Sequence, residues 1–154
     1  MNERNGRMIE IKTKRLTQTT TLPTRGSDQA AGSDLHADIG DSEYVVVHPH
    51  STNVIGTGLA VEIPDGYFGA IFARSGLATK EGLRPANCVG VVDSDYRGEI
   101  KVAIHNDMAT ERYITHGERI AQLVIMPYLP VGYTEVDELS DTDRGSGGFG
   151  STGK

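Results

Sequence analysis

The sequence predicts an all-β protein, a sandwich or barrel, and three observations carry that prediction. Short runs rich in β-branched residues recur along the 154 residues: IEIKTKRL, EYVVVHP, TNVIGTGLAVEIP, GYFGAIFA, ANCVGVV, EIKVAIHN and ERIAQLVIMPYLPV. Nearly all read as strands. Clusters such as IPDGY, EGLRPAN and DSDYRGE stand between them and supply turn geometry. No run of ten or more residues has helical periodicity, the best stretch being Gly76 to Gly82, enough for about one turn. Short strands at regular spacing without helices between them are the pattern of a closed or two-layered β architecture.

A chain of this length fits one domain with a substantial core. Its 19 glycines exceed the usual share of about 7%, which again means many tight turns. Net charge is −6 with no block of lysine and arginine, a balance that argues against nucleic-acid or anionic-membrane partners. The single Cys88 excludes an internal disulfide and points to a reducing compartment. No apolar run suits a signal peptide or reaches the roughly 20 residues of a bilayer span, so a soluble, cytoplasmic protein is expected. Residues 1–7 read as an extension, 8–136 as the β domain and 137–154 as a flexible arm. The arm, DELSDTDRGSGGFGSTGK from Asp137, is acidic and then glycine-rich, with no apolar pattern to anchor it.

Chemistry-bearing residues concentrate in few places. In GVVDSDYRGE (90–99) the middle reads as a β-hairpin tip with Asp93, Ser94, Asp95 and Tyr96 at the turn. Aspartate and serine are ordinary turn residues, yet Asp93 directly follows an apolar strand, where a carboxylate needs a partner or a task. In ARSGLA (73–78), Arg74, Ser75 and Gly76 at a strand end can offer a guanidinium, a hydroxyl and a backbone N–H to one anion, or form a plain surface turn. Ala31–Leu35 places Asp34 either near a metal or in a Gly-Ser-Asp turn. His48 and His50 would share one strand face, but no further ligand has zinc spacing, so the histidines read as solvent-exposed. Cys88 reads as a buried, inert thiol. The tail RGSGGFGSTGK (144–154) is a near miss to a phosphate loop, with Ser151 where the lysine belongs.

Taken in order, AGSDL (31–35), ARSGLA (73–78), NCVGVVDSDYRGEI (87–100), GERIAQLVI (117–125) and RGSGGFGSTG (144–153) resemble the five motifs of the trimeric dUTP diphosphatase (dUTPase) family, over the whole domain from about Ile9. The resemblance implies a jelly-roll-like β fold, a homotrimer with active sites shared between chains, and Mg²⁺-assisted hydrolysis of dUTP to dUMP and diphosphate. That reaction keeps uracil out of DNA and supplies dUMP for thymidylate synthesis. It implies Asp93 as the base that activates the attacking water and Tyr96 as the ring under the deoxyribose. Asn87, Val91, Val92 and Lys101 would form the uracil pocket, and Arg74, Ser75, Gly76 and Gln122 the phosphate site. Asp34 would meet the metal through water, while Arg144, Phe149, Gly150, Ser151 and Thr152 would close over the nucleotide as a mobile lid.

Two departures from the family pattern stand out: Ser33 where a tyrosine or larger residue is usual, and Ala73 where proline is common. Neither removes a catalytic group. Two other readings compete. A dCTP deaminase shares the fold but uses a glutamate near the hairpin and lacks the glycine-rich closing motif. A regulatory binding protein on this fold would act by protein contact, and no large insertion is present to serve as its arm.

Overall fold

The computed structural model describes residues 8–148. Twelve strands and one short helix follow one another in that stretch. They are β1 (Lys12–Arg15), β2 (Thr24–Arg25), β3 (Ser33–His36), β4 (Tyr44–Val47), β5 (Thr52–Gly56), β6 (Leu59–Glu62), β7 (Tyr67–Phe72), α1 (Ser75–Glu81), β8 (Leu83–Pro85), β9 (Gly90–Val92), β10 (Lys101–Asn106), β11 (Arg112–Thr115) and β12 (Arg119–Pro127). The all-β expectation holds.

The strands form a five-stranded sheet in the order β2-β3-β12-β7-β9, a three-stranded sheet β5-β10-β8, and the pairs β1-β6 and β11-β4. All pairings are antiparallel. Alternation decides which side chains enter the core. In β10, Val102, Ile104 and Asn106 are buried while Lys101 is exposed. Leu35, Val47, Leu59, Ile104, Ile114 and Ile120 are at most 1% exposed and meet in one cluster. Burying side chains of this kind stabilises by about 1.5–3 kcal/mol each. The buried Asn106 is satisfied, its amide donating to the Val47 and Thr110 carbonyls.

Several sequence expectations are corrected. TNVIGTGLAVEIP divides into β5 and β6 at Thr57–Gly58, where Gly58 has φ +63 and an added Cβ would fall 2.3 Å from Asp38 Oδ2. The segment expected to make one turn is the seven-residue α1, ended by Gly82 in the left-handed conformation. Ala31–Leu35 is not a turn: β3 begins at Ser33, and its partner β12 lies too far along the chain for local pattern to show. ANCVGVV supplies a strand only at Gly90–Val92; Cys88 is exposed with φ +61, in the turn that precedes it, rather than buried. Nor is the DSDYRG segment a paired hairpin. β9 pairs with β7 and β10 with β5 and β8, so the loop arches from one sheet to another. His48 and His50 share no strand face, since His48 follows β4 and contacts Glu111 while His50 sits in a turn with φ +53.

The chain before β3 is held by a polar cluster. Thr17 and Thr19 donate hydroxyls to the Asp38 carboxylate, Thr19 at 2.9 Å, and the buried Thr20 donates to the Gly58 carbonyl at 2.9 Å. Burial pushes the Asp38 pKa up, but the hydroxyls and the Gly40 N–H outweigh it and hold the group below its ordinary 3.8. A depressed carboxylate pKa adds stability that is complete above the ordinary value and fades as pH falls through the folded-state value. Asp38→Ala is therefore expected to cost about 2 kcal/mol or more at pH 7, read from urea midpoints, through the hydroxyls left without an acceptor. The gap between the wild type and Asp38→Ala should narrow toward pH 3; a gap independent of pH would show that the charge contributes nothing.

Candidate active site

Two separate groups of functional side chains are built on β7, one at each end. At the first, β7 and β9 run antiparallel with Gly69 opposite Val92, Ala70 opposite Val91 and Ile71 opposite Gly90. Gly90 packs closely here: an added Cβ would lie 3.1 Å from Ile71 Cβ, so that side chain would have to give by a few tenths of an ångström. Beside β9 opens a cleft of about 250 Å³, with Asn87, Asp93, Tyr96, Glu99 and Lys101 on its walls and Ile71 and Ile100 among its apolar lining. Asp93, one residue past the strand, is exposed, and its carbonyl accepts the Tyr96 N–H at 3.2 Å, closing the turn. The Tyr96 phenol donates to the Glu99 carbonyl at 2.9 Å, and its ring lies over Gly98, where an added Cβ would meet the phenol oxygen at 2.5 Å. β9 is the outer strand of its sheet, so one row of its backbone N–H and C=O groups has no ladder partner among the described residues and adjoins the cleft.

The second group lies at the other end of β7. Gln122 on β12 pairs with Asp34 on β3 to one side and with Phe72 on β7 to the other, which sets these positions on one face, with Arg74 two residues beyond Phe72. Arg74 Nε donates to Asp34 Oδ1 at 2.8 Å, and Arg119 Nη1 approaches Asp34 Oδ2 at 3.4 Å. Gln122 donates to the Ala73 carbonyl at 2.9 Å, leaving its side-chain oxygen toward Gly32, where an added Cβ would come within 2.4 Å. Ser75 and Gly76 occupy the exposed first turn of α1, where backbone N–H groups have no helical acceptor. Two guanidinium groups on one carboxylate leave this end net positive and suited to an anion. His36, opposite Arg119, keeps a buried Nδ1 without a partner among the described residues. Its pKa is lowered by burial, with Asp34 opposing and Arg119 and Arg74 reinforcing, so it is neutral at pH 7.

The expected site residues thus form two sets rather than one. Asn87, Val91, Val92, Asp93, Tyr96 and Lys101 meet at the cleft; Asp34, Arg74, Ser75, Gly76 and Gln122 meet at the cationic end. Arg144 is exposed in a turn, donating from Nε to the Gly147 carbonyl at 2.7 Å. Phe149, Gly150, Ser151 and Thr152 lie outside the described residues. Asp93 stands level with Phe68, six residues from Arg74 along β7, which is about 20 Å at about 3.3 Å per residue. The Arg74 guanidinium also turns toward β3, on the far side of β7 from β9. Arg119, Glu99 and His36 escape sequence reasoning. Arg119 stands in the GERIAQLVI motif, but only the pairing of β12 with β3 brings it to Asp34.

Among the described residues, no three His, Cys, Asp or Glu side chains are grouped to hold a metal. Asp34 accepts one bond on each oxygen and keeps lone pairs for a metal-bound water. Such a donor set fits a hard cation held chiefly by phosphate and water, as Mg²⁺ is.

The dUTPase family model matches residues 18–153. The chain belongs to the dUTPase family. It is 49% identical over 146 residues to the deoxyuridine 5'-triphosphate nucleotidohydrolase of Nautilia profundicola, a match covering 95% of this chain and 100% of the relative. The corresponding Corynebacterium glutamicum protein is 47% identical over 96% of this chain and 97% of its own. Among solved dUTPases, that of Staphylococcus bacteriophage 80alpha with dUPNHPP superposes with a TM-score of 0.84 at 31% identity, over 96% of this chain and 100% of the other. A mutant dUTPase from phage phi11 of S. aureus, described with a coordinated structural Mg(II) ion, gives 0.75 at 27% identity over 84% and 98%.

The charges around His36 make a test of the cationic end. By NMR titration His36 should protonate below 6.5, lower still in Asp34→Asn, which removes the charge that raises it, and higher in Arg119→Ala, which removes one that lowers it. Shifts of the opposite sign would mean that these side chains do not surround the ring as described.

Proposed function

We propose that this chain hydrolyses dUTP to dUMP and diphosphate, as a homotrimer whose sites are assembled from more than one copy. The observation that carries the reading is the cleft beside β9, lined by the exposed Asp93 carboxylate at the strand's end and by Tyr96 of the same turn. Uracil enters against the unpaired edge of β9, where fixed N–H and C=O groups meet its donors and acceptors and Asn87 adds a side-chain amide. A base with a different pattern leaves buried groups unpaired, which discriminates strongly. The deoxyribose rests on the Tyr96 ring, which leaves no room for a 2'-hydroxyl. Asp93 accepts a proton from a water as that water's oxygen bonds to the α-phosphorus, and the bond from this phosphorus to the bridging oxygen breaks, releasing diphosphate. Arg74, Ser75, Gly76 and Gln122 hold the phosphate chain in line for the attack. Asp34, with lone pairs free on both oxygens, would meet a phosphate-held Mg²⁺ through water, and that ion would supply charge neutralisation to the triphosphate.

A triphosphate is shorter than the distance between Asp93 and Arg74 within one chain, so the phosphate site serving a given Asp93 comes from a neighbour. A second observation supports assembly. After β12 the chain has no further strand through residue 148, and Leu129, Val131 and Tyr133 alternate along it at 84, 68 and 96% exposure. Large apolar side chains in succession that nothing among the described residues covers make an association element. It leads to residues 137–154, the arm that brings Arg144 and the glycine-rich motif over a bound nucleotide. The same whole-length relationship to dUTPases disfavours a deaminase.

In a diphosphate-release assay with dUTP, UTP, dTTP and dCTP, only dUTP should turn over rapidly. Asp93→Asn should lower kcat by about a thousandfold, the scale of a lost general base, while a non-hydrolysable dUTP analogue still binds. Ammonia from dCTP without diphosphate from dUTP would overturn the proposal, and so would wild-type turnover in Asp93→Asn.

A further inference from the structure

The cleft contains a carboxylate that the reaction as described does not use. Glu99 lines it, is 27% exposed, and lies between the loop carrying Asp93 and Tyr96 and the first residue of β10, Lys101. Its Oε1 accepts the Gly58 N–H at 2.9 Å, and its Oε2 is 3.4 Å from Lys101 Nζ. Its backbone carbonyl accepts the Tyr96 phenol at 2.9 Å. One residue further, Ile100 is stitched to the same β5–β6 turn, donating its N–H to the Leu59 carbonyl at 2.7 Å and accepting the Thr57 hydroxyl at 2.6 Å.

The two glycines of that turn are explained by Glu99 and its surroundings. At Gly56 an added Cβ would lie 2.6 Å from Glu99 Oε1, so a bare backbone there is the floor on which the carboxylate rests. Gly58 takes φ +63, which turns its N–H to Glu99 at low conformational cost. Among the described residues the hydrogen bond of the Tyr96 phenol goes to residue 99, which is itself tied into the β5–β6 turn. Arg97, the other long side chain of this loop, lies beside Glu62 on β6 but donates hydrogen bonds only to the Ser94 and Tyr96 carbonyls among the described residues, so it does not fix the Tyr96 ring.

We propose that Glu99 is a positioning residue for sugar selection: its carboxylate pins the wall that holds Tyr96 and steers the Lys101 ammonium over the cleft, so that the ring sits close enough to exclude a 2'-hydroxyl. The inference rests on the dUTP reading above. A wall that relaxes by a fraction of an ångström still binds a deoxyribonucleotide but admits the ribonucleotide, so Glu99 governs the ratio of the two rather than the chemical step.

The test measures kcat/KM for dUTP and UTP in the wild type, Glu99→Gln, Glu99→Ala and Gly56→Ala. Glutamine keeps an acceptor for Gly58, so its dUTP/UTP preference should stay within about threefold of the wild type. Glu99→Ala, which deletes the anchor, and Gly56→Ala, whose methyl occupies its place while Glu99 itself is intact, should each cut the preference by about tenfold or more, chiefly through a lower KM for UTP. Gly56→Ala decides the matter if Glu99→Ala does not fold. Equal losses for both nucleotides, with the preference unchanged in the alanine variants, would reduce Glu99 to a structural residue and overturn the proposal. A wild type without dUTP turnover would overturn the underlying reading as well.

Discussion

The antiparallel register of β7 is the constraint on which the rest of the site depends. On one side β9 matches Ile71 with Gly90 and Gly69 with Val92; on the other β12 matches Phe72 with Gln122. Because β9 runs against β7, the residue that leaves its end, Asp93, stands at the start of β7, whereas Arg74 leaves at the finish. A slip by one residue would turn Gly90 and Val92 to the wrong faces and drive a side chain into Ile71. The ladder therefore sets the cleft of Asp93 and Tyr96 at one end of β7 and the group of Asp34, Arg74 and Gln122 at the other.

Each end solves a different electrostatic problem. The cationic end brings two guanidinium groups together on a protein of net charge −6, and their mutual repulsion has to be offset. Asp34 between Arg74 and Arg119 resolves this, holding both while leaving the group net positive. The cleft instead presents backbone polarity, an aromatic wall and the exposed Asp93 carboxylate. Glycines at 56, 58, 90 and 98 recur around it because Glu99, the Asp38–Thr20 cluster, Ile71 and the Tyr96 ring respectively lie where a Cβ would stand.

Much of this was legible in the sequence. The strands announced themselves by β-branched runs between turn residues, and the five motifs named nearly every side chain later found at the two ends. What failed shares one cause: long-range pairing. Cys88 looked like a core residue because apolar neighbours surround it in sequence, but only Gly90–Val92 have β7 to pair with, and the residues before them must turn. Asp34 looked like a turn residue because its partners lie 40 and 85 residues away. Glu99 gave no signal, being one acidic residue beside an arginine and a glycine. Its meaning appears only when the β5–β6 turn, 41 residues earlier, is folded under it.

The central claim, that one working site needs residues from two chains, is tested most directly by mixing two inactive proteins. Asp93→Asn retains an intact cationic end, and Arg74→Ala an intact cleft. If subunits exchange freely and each site takes Asp93 from one chain and Arg74 from another, an equal mixture should recover about a quarter of wild-type activity, since half the chains supply each intact part. A mixture that stays inactive after exchange is confirmed by mass measurement would contradict the account and place both residues of each site in a single chain.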